Sequence, residues 1–142
     1  MNSIRTARGP RRAFTLIELI AVIVVLAILS GVALPKFFDY SAKAKESACR
    51  GVLGGVRSAI ANFYSNSAVS GTAAYPTIAE LRTIGTVMQE VIPENPFNGD
   101  DRIRAAIWDV TNPPVSGPRG WCYDAAAGKF WPNSNTVGEN LW

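Results

Sequence analysis

An unbroken apolar segment from Phe14 to Leu34 limits the folds open to this 142-residue chain more than any other feature. The segment has 21 residues, and Glu18 is its one ionisable group. As an α-helix it would measure about 31 Å, which matches the hydrocarbon thickness of a bilayer. The 108 residues after it are enough for one small core. The sequence therefore predicts a transmembrane helix at 14–34, followed by a single small domain.

The basic residues of the N-terminal tail predict the orientation of this helix. Residues 1–13 form a basic leader with no acid and four arginines, namely Arg5, Arg8, Arg11 and Arg12. The positive-inside rule places such a tail in the cytoplasm and the domain after the helix outside. The other residues carry 10 basic and 11 acidic groups, so the formal charge of +3 reflects the tail. We therefore expect no nucleic-acid-binding face. The apolar segment itself predicts a permanent anchor, because a cleaved signal peptide has an apolar region of only ~7–15 residues.

Helical periodicity continues beyond the apolar segment. Apolar residues recur with i, i+3, i+4, i+7 spacing at Cys49, Val52, Leu53, Val56, Ile60 and Phe63. This spacing predicts one helix from about residue 14 to 66, in which 35–66 is the amphipathic half. Pro35 lacks an N–H, so we expect the helix to be weakest between Gly31 and Pro35.

Residues 67–142 predict the rest of the globular domain. Thr77-Ile78-Ala79-Glu80 has the pattern of a capping box, which predicts a short helix. Runs at 102–110, 121–124 and 129–131 read as strands between turn-rich segments. The predicted fold is α+β: a long N-terminal helix, part transmembrane and part amphipathic, with a small C-terminal antiparallel β-sheet packed on it.

Histidine and cysteine content limits the chemistry of the chain. The sequence has no histidine, which excludes Ser-His-Asp and Cys-His catalysis and any His-ligated metal. No nucleophile–base pair is evident, so we expect no enzyme. The two cysteines, Cys49 and Cys122, are too far apart for a zinc motif. They fit either one disulfide in an exported domain or two buried thiols.

Aromatic residues of the C-terminal half have two interpretations. They could form a surface for carbohydrate or DNA, or pack the sheet against the apolar helix face at Val52, Val56, Ile60 and Phe63. Packing is the favoured interpretation for Trp108, Trp121, Tyr123, Phe130 and Trp131. We expect Trp142 to be exposed.

Glu18 is the unusual residue of the apolar segment. An acid within a membrane helix costs up to ~2.5–3.5 kcal/mol, and a functional role is the default interpretation. The alternative is that its side chain reaches the headgroups or is protonated. If the chain were cut between Ala13 and Phe14, the new Phe14 amine would lie at the membrane edge. A neighbouring subunit's Phe14 amine could then pair with Glu18 and fix the stagger between subunits.

The segment "RRAFTLIELIAVIVVLAIL" closely resembles the class III signal of type IV pilins and type II secretion pseudopilins. That family has a short basic leader, a cut before Phe, then T-L-I-E-L and a long apolar helix. The residues from Phe14 to Leu19 match this pattern position for position. One residue departs from it, because the family has Gly before the cut and this chain has Ala13.

The resemblance implies a processing and assembly route. A prepilin peptidase would cut between Ala13 and Phe14 and N-methylate Phe14. An inner-membrane assembly platform would then move the subunits, of this chain or other pilins, into a helical filament. Glu18 would meet the neighbour's Phe14 amine there, and the stretch from Gly31 to Pro35 would lose helical order. The expected location is the bacterial inner membrane, and then a periplasmic or extracellular filament.

Weaker resemblances beyond residue 34 bear on which system the chain serves. "VIPENPFNG" resembles the turn of type II secretion G-class pseudopilins, and "GWCYDAAAGKFWPNS" resembles the terminal hairpin of short pseudopilin-like proteins. The first expectation is therefore a type II secretion pseudopilin that acts in protein export. The alternatives are a type IV pilus subunit, for adhesion, motility or DNA uptake, and a signal-anchored binding domain that never assembles.

The same resemblance implies a candidate calcium site, because major pseudopilins of that class bind calcium near the C-terminal loop. Oxygen ligands are available from Glu94, Asn98, Asp100, Asp101, Asp124 and Glu139. None of these forms a D-x-D-x-D-G pattern, and solvated loop acids are the favoured interpretation. We therefore expect no cofactor or metal.

Overall fold

The computed structural model describes residues 14–142 and divides the chain into two compact units, one ending at Tyr40 and the other from Ser41 to Trp142. Helix α1 is Leu16–Val69 and helix α2 is Ile78–Arg82. Strand β1 is Ile103–Ala105, β2 is Trp121–Asp124 and β3 is Lys129–Pro132, and a 3₁₀ helix follows at Glu139–Leu141. The predicted basic leader and Ala13 lie outside the described residues. The α+β fold class is confirmed.

The part of α1 within the first unit is an apolar helix whose side chains are exposed in the structure of residues 14–142. Its large apolar side chains are all largely exposed, from 41% at Ile20 to 75% at Leu16. Helix α1 is long and apolar enough to cross a membrane. The helix is continuous through Pro35 in this single chain. The expected loss of helical order between Gly31 and Pro35 concerns the filament and stays a prediction.

The second unit has a core built on one stripe of α1. The buried residues of that stripe are Cys49, Leu53, Val56 and Ile60. They form one cluster with the side chains of Leu81, Ile92, Ile103, Trp121, Tyr123 and Phe130. The amphipathic half of the helix and the packing interpretation of Trp121, Tyr123 and Phe130 are therefore confirmed.

The sheet is mixed, which corrects the expectation of an antiparallel one. Strand β1 pairs in parallel with β2, with Ile103 opposite Trp121, and β2 pairs antiparallel with β3, with Tyr123 opposite Phe130. The predicted strand at 102–110 is also shorter, because only Ile103–Ala105 pairs. Parallel neighbours need a crossover of a dozen or more residues. The 15 residues from 106 to 120 make that crossover, so most of the predicted strand belongs to the connection.

The crossover covers the sheet face opposite α1. Alternation along the strands puts Cys122 and Trp131 on that face, and both side chains are fully buried. The Pro114 carbonyl accepts from Trp131 Nε1 at 3.1 Å and from Cys122 Sγ at 3.7 Å. Asn140 Nδ2 donates to the Pro113 carbonyl at 3.0 Å. The sheet is thus buried on both faces, and the sequence analysis predicted only one of them.

Both cysteines are free and buried. Cys49 belongs to the core between α1 and the sheet, whereas Cys122 faces the crossover on the other side of the sheet. The structure therefore holds two thiols rather than the disulfide that was the other alternative. Burial raises the pKa of each thiol to about 11, so both stay protonated at neutral pH.

Gly120 marks the tightest backbone approach in the second unit. Its N–H donates to the Arg102 carbonyl, and a Cβ added at Gly120 would lie 1.7 Å from the Asp100 carbonyl oxygen. The atom in the way is backbone, so it cannot rotate aside as a side chain would. The turn before β1 and the residue before β2 can therefore pack together only around glycine.

We expect Gly120→Ala to lower the free energy of unfolding by roughly 3 kcal/mol, because the added methyl must displace backbone in a packed region. Gly54→Ala is the matched control: an added Cβ there meets no described atom within 4 Å, and the position lies inside α1. That variant should gain about 1 kcal/mol from helix propensity. Urea unfolding of the full chain in mild detergent, followed by tryptophan fluorescence, measures both. Equal stability of the two variants would contradict the close approach.

Candidate functional site

The start of α1 carries a capping box that contains the acid of the apolar segment. The Thr15 N–H donates to Glu18 Oε2 at 2.8 Å, and the Thr15 hydroxyl donates to the same oxygen at 2.7 Å. In return, the Glu18 N–H donates to Thr15 Oγ1 at 3.3 Å. Thr15 is thus the N-cap and Glu18 the N3 residue. In this structure the acid accepts from the N–H and the hydroxyl of the N-cap residue of its own helix, a role that the sequence analysis missed.

The predicted capping box at α2 gives the same geometry. The Thr77 N–H and hydroxyl donate to Glu80 Oε2 at 2.7 and 2.8 Å, and the Glu80 N–H donates to Thr77 Oγ1 at 3.3 Å. The box at 77–80 is therefore confirmed. T-L-I-E at 15–18 has the same S/T-x-x-E pattern. The capping pattern was therefore readable in the sequence, although the apolar surroundings of Glu18 favoured an interpretation based on its charge.

Capping engages only one oxygen of Glu18. Within residues 14–142, no group donates a hydrogen bond to Glu18 Oε1. A carboxylate accepts at both oxygens, so capping its own helix leaves Glu18 able to bind a second donor. Phe14 is 84% exposed, two residues before the first helical residue. The pairing of Glu18 with a neighbouring Phe14 amine is compatible with this arrangement and stays a prediction, as do cleavage and N-methylation at Phe14.

Trp142 is half-buried, which corrects the expectation that it is exposed. Its ring lies under the Arg50 guanidinium, 4.0 Å from the ring centre, and packs edge-on against Phe97. The Trp142 carbonyl accepts a hydrogen bond from Arg57, whose Nε also donates to the Phe130 carbonyl at 2.9 Å. Two arginines of α1 therefore hold the last residues of the sequence against the helix.

Trp108 and Trp131 pack together on the outer side of the sheet. Their rings meet edge to face with centres 5.0 Å apart. Trp131 is fully buried and Trp108 half-buried, so packing rather than an open binding face is confirmed for Trp131. Trp108 also borders a surface cavity of about 370 Å³, together with Arg57, Lys129 and Trp142.

Two of the acids considered for calcium, Asp100 and Asp124, bind groups of the chain itself. Asp100 forms an ion pair with Arg102, and the hydrogen bond from Arg102 lowers the pKa of Asp100 to about 2. Asp124 accepts from the N–H groups of Trp108, Ala126 and Ala127. Asn98 donates to the carbonyls of Arg119 and Asn133, and Glu94 and Asp101 are exposed. From residue 14 onwards, no group of three or more acidic, Cys or His side chains is placed to hold a metal ion.

Glu139 is the one fully buried acid of the described chain. Oε1 accepts from the Thr136 N–H at 2.9 Å, and Oε2 accepts from the Val137 N–H at 2.7 Å. Burial raises the pKa of Glu139 and is the largest single effect, but hydrogen bonds from the N–H groups of Thr136, Val137 and Glu139 and from the Ser134 side chain together lower it by more, so the net pKa lies below its ordinary value. The carboxylate therefore organises the turn that leads into the 3₁₀ helix.

Glu139 makes folding dependent on pH. Its pKa is lower in the folded than in the unfolded chain, so its stabilisation is complete above the ordinary Glu pKa of about 4.3 and is lost as the pH falls through the folded pKa. We expect Glu139→Gln to cost about 1.5–3 kcal/mol at pH 7, because the new amide NH₂ faces a backbone N–H donor. The loss of stability below pH 4.3 should also be shallower than in the wild type.

Chemical unfolding of the full chain between pH 3 and 7, a range chosen around that pKa, measures both effects. The exposed Glu94→Gln variant is the control for the loss of one acidic charge. A Glu139→Gln profile that parallels the wild type at every pH would show that Glu139 is not the titrating group.

Comparison with known proteins locates the N-terminal segment in a described family. The family model of the prokaryotic N-terminal methylation motif matches residues 8–34. The match covers the expected cleavage position and the whole apolar segment, including the capping box of Thr15 and Glu18. No solved structure matches the chain significantly.

Several curated proteins are similar to part of this chain. The fimbrial protein EcpC of Eikenella corrodens is 39% identical over 59 residues, which are 42% of this chain and 39% of that protein. The type IV major pilin protein PilE of Neisseria gonorrhoeae is 41% identical over 59 residues, 42% of this chain and 35% of that protein. The type IV major fimbrial protein FimA of Dichelobacter nodosus is 29% identical over 92 residues, 63% of this chain and 57% of that protein.

These matches cover less than two thirds of each relative. A long N-terminal helix with a small sheet packed on its amphipathic half is nevertheless the α+β arrangement that pilins have.

Proposed function

With the type IV pilin family supported by the methylation motif and by the relatives, we propose that this chain is a structural subunit of a type IV filament. The observation that carries the proposal is the exposed apolar helix of the first unit. Glu18 caps the start of this helix with one carboxylate oxygen, and its other oxygen can accept a hydrogen bond from another group. Such a surface needs lipid or other copies of itself around it.

The physics of assembly assigns separate roles to the helix and to Glu18. Lipid tails are as apolar as the helix, so moving it from a bilayer into a filament gains little hydrophobic free energy. Side-chain packing and polar contacts must then favour the filament. A Glu18 carboxylate paired with a neighbour's Phe14 amine supplies one contact that is charged, short-ranged and met in a single register.

Processing by a prepilin peptidase supplies the amine for that contact. The cut would follow Ala13, whose small side chain is close in size to the glycine of the family pattern. Methylation keeps the positive charge of an amine, so Phe14 would still pair with an acid. The proposed partners are the peptidase, an inner-membrane assembly platform and further pilin subunits. No enzymatic activity and no cofactor are part of the proposal.

The relatives favour a pilus over a secretion filament as the assembled form. The three described above are named as pilin or fimbrial proteins. A type II secretion pseudopilin is the second candidate, and the small three-stranded sheet and the free cysteines favour it. In both cases the proposed subunit starts in the inner membrane, with its N-terminus cytoplasmic, and ends in a filament outside the cytoplasm.

We expect the mature protein to begin at Phe14 and to carry one N-methyl group. Intact mass and N-terminal sequencing of protein recovered from membranes measure both. Ala13→Gly should be cut at least as fast, because it restores the family residue, and Ala13→Leu should accumulate as precursor. A wild-type chain that still carries residues 1–13 in assembled material would contradict the proposal.

Substitutions at the capping box separate the two roles of Glu18. Glu18→Gln keeps an N3 side chain that can cap the helix but removes the charge. Thr15→Ala keeps the charge but removes the cap hydroxyl, at a cost of about 1 kcal/mol. We expect filaments to be lost in Glu18→Gln and retained in Thr15→Ala, as measured by electron microscopy and by the pilin content of sheared material.

The opposite result would identify capping as the main role of Glu18. Both variants should be inserted into the membrane and processed as the wild type is, so that any loss of filaments reports assembly alone.

Deleting the gene for this chain in its own host distinguishes the type IV pilus from the type II secretion filament. Loss of surface filaments with normal protein export supports the pilus, and loss of export with no change in surface filaments supports the secretion pseudopilin. A chain found monomeric and unprocessed in the membrane would instead support the anchored binding domain.

A further inference from the structure

Three exposed aromatic side chains follow directly on the apolar segment. Phe37, Phe38 and Tyr40 are 67%, 67% and 66% exposed, and we call them the aromatic collar. The rings of Phe37 and Phe38 meet edge to face, with centres 6.2 Å apart at 73°. None of the three belongs to the core cluster of the second unit. The fold of the described chain therefore does not explain why three large aromatic residues lie here.

The aromatic collar covers one side of α1. At 100° per residue, Tyr40, Phe37 and Phe38 span an arc of about 160° around the helix axis. Lys36 and Asp39 fall on the remaining side. At this level the helix is thus amphipathic, with an aromatic side and a charged side. Residues with an apolar body close to polar groups are characteristic of the membrane–water interface.

The height of the collar along the helix agrees with that interface. If 14–34 fills the hydrocarbon layer, then Phe37, Phe38 and Tyr40 lie about 4.5, 6 and 9 Å beyond Leu34. The polar layer of a bilayer is roughly 5–7 Å thick on each side. Side chains of a helix also tilt toward its N-terminus, which here means toward the membrane core. The three rings would therefore reach back into the headgroup layer.

We infer that the aromatic collar binds the headgroup layer of the membrane and fixes the depth of the subunit before assembly. The inference rests on the proposed function, because it needs a membrane-resident subunit. Phe37 lies about 28 Å from Glu18 along a continuous helix. A collar held at one interface therefore also sets the height of Glu18 and Phe14 at the other. Subunits waiting in the membrane would share one height, from which the stagger of the filament is set.

Spin-label depth measurements test the collar directly. The full-length precursor, with Cys49→Ala and Cys122→Ala, carries one nitroxide at Val25, Phe37, Tyr40 or Ser47 in vesicles of phosphatidylethanolamine and phosphatidylglycerol. Collisions with oxygen report the hydrocarbon, and collisions with a nickel chelate report water. We expect oxygen to dominate at Val25, nickel to dominate at Ser47, and intermediate values at Phe37 and Tyr40.

The outcomes separate the collar from the proposed function. Labels at Phe37 and Tyr40 that match Ser47, while Val25 stays in the hydrocarbon, would overturn the collar but leave a membrane-anchored subunit. A Val25 label that is as accessible to nickel as Ser47 would remove the membrane span and the collar together.

A variant series tests whether the collar fixes depth. With the label at Val32, the triple variant Phe37→Ser, Phe38→Ser, Tyr40→Ser should shift the oxygen-to-nickel ratio relative to the intact collar. The control, Ile107→Ser with Val110→Ser, removes two exposed apolar residues from the second unit and should leave the ratio unchanged. An unchanged ratio in the triple variant would overturn the inference. Loss of filaments at unchanged depth would make another copy of the chain the collar's partner.

Discussion

The buried stripe on α1 is the contact on which the second unit depends. Leu53, Val56 and Ile60 are 2% exposed or less and lie in one cluster with Trp121 and Phe130. Burying an aliphatic side chain of this size contributes ~1.5–3 kcal/mol. Without this stripe, the apolar side chains of α2 and the sheet would have no helix face to pack against. The apolar side chains before Tyr40 are exposed in this structure. One helix therefore supplies both the core of the second unit and an exposed apolar surface.

Periodicity made the helix and its buried stripe predictable from the sequence. The residues from Cys49 to Ile60 repeat with helical spacing, and the structure buries the predicted side. The fold class followed because short strands after a long helix leave few ways to cover that stripe. These features depend on local pattern and on solvent, which a sequence displays directly.

Pairing direction was not predictable in the same way. Nothing in Ile103–Ala105 specifies a parallel neighbour, since the direction is set by where the chain goes between 106 and 120. That path depends on side chains far apart in sequence: Trp131 donates to the Pro114 carbonyl and Asn140 to the Pro113 carbonyl. Glu18 shows a different limit: its capping pattern was readable, but the residue carries two plausible roles and the sequence ranks neither.

The parallel pair has a consequence for the order of folding. Strands β2 and β3 are joined by a short turn and can pair within microseconds, as hairpins do. Strand β1 can join them only after the crossover has closed a much longer loop, whose entropy must be lost first. Until then Cys122 and Trp131 lie on an uncovered sheet face. The folding chain would therefore pass through a stage with an unprotected hairpin, when contact with a neighbouring chain is most damaging.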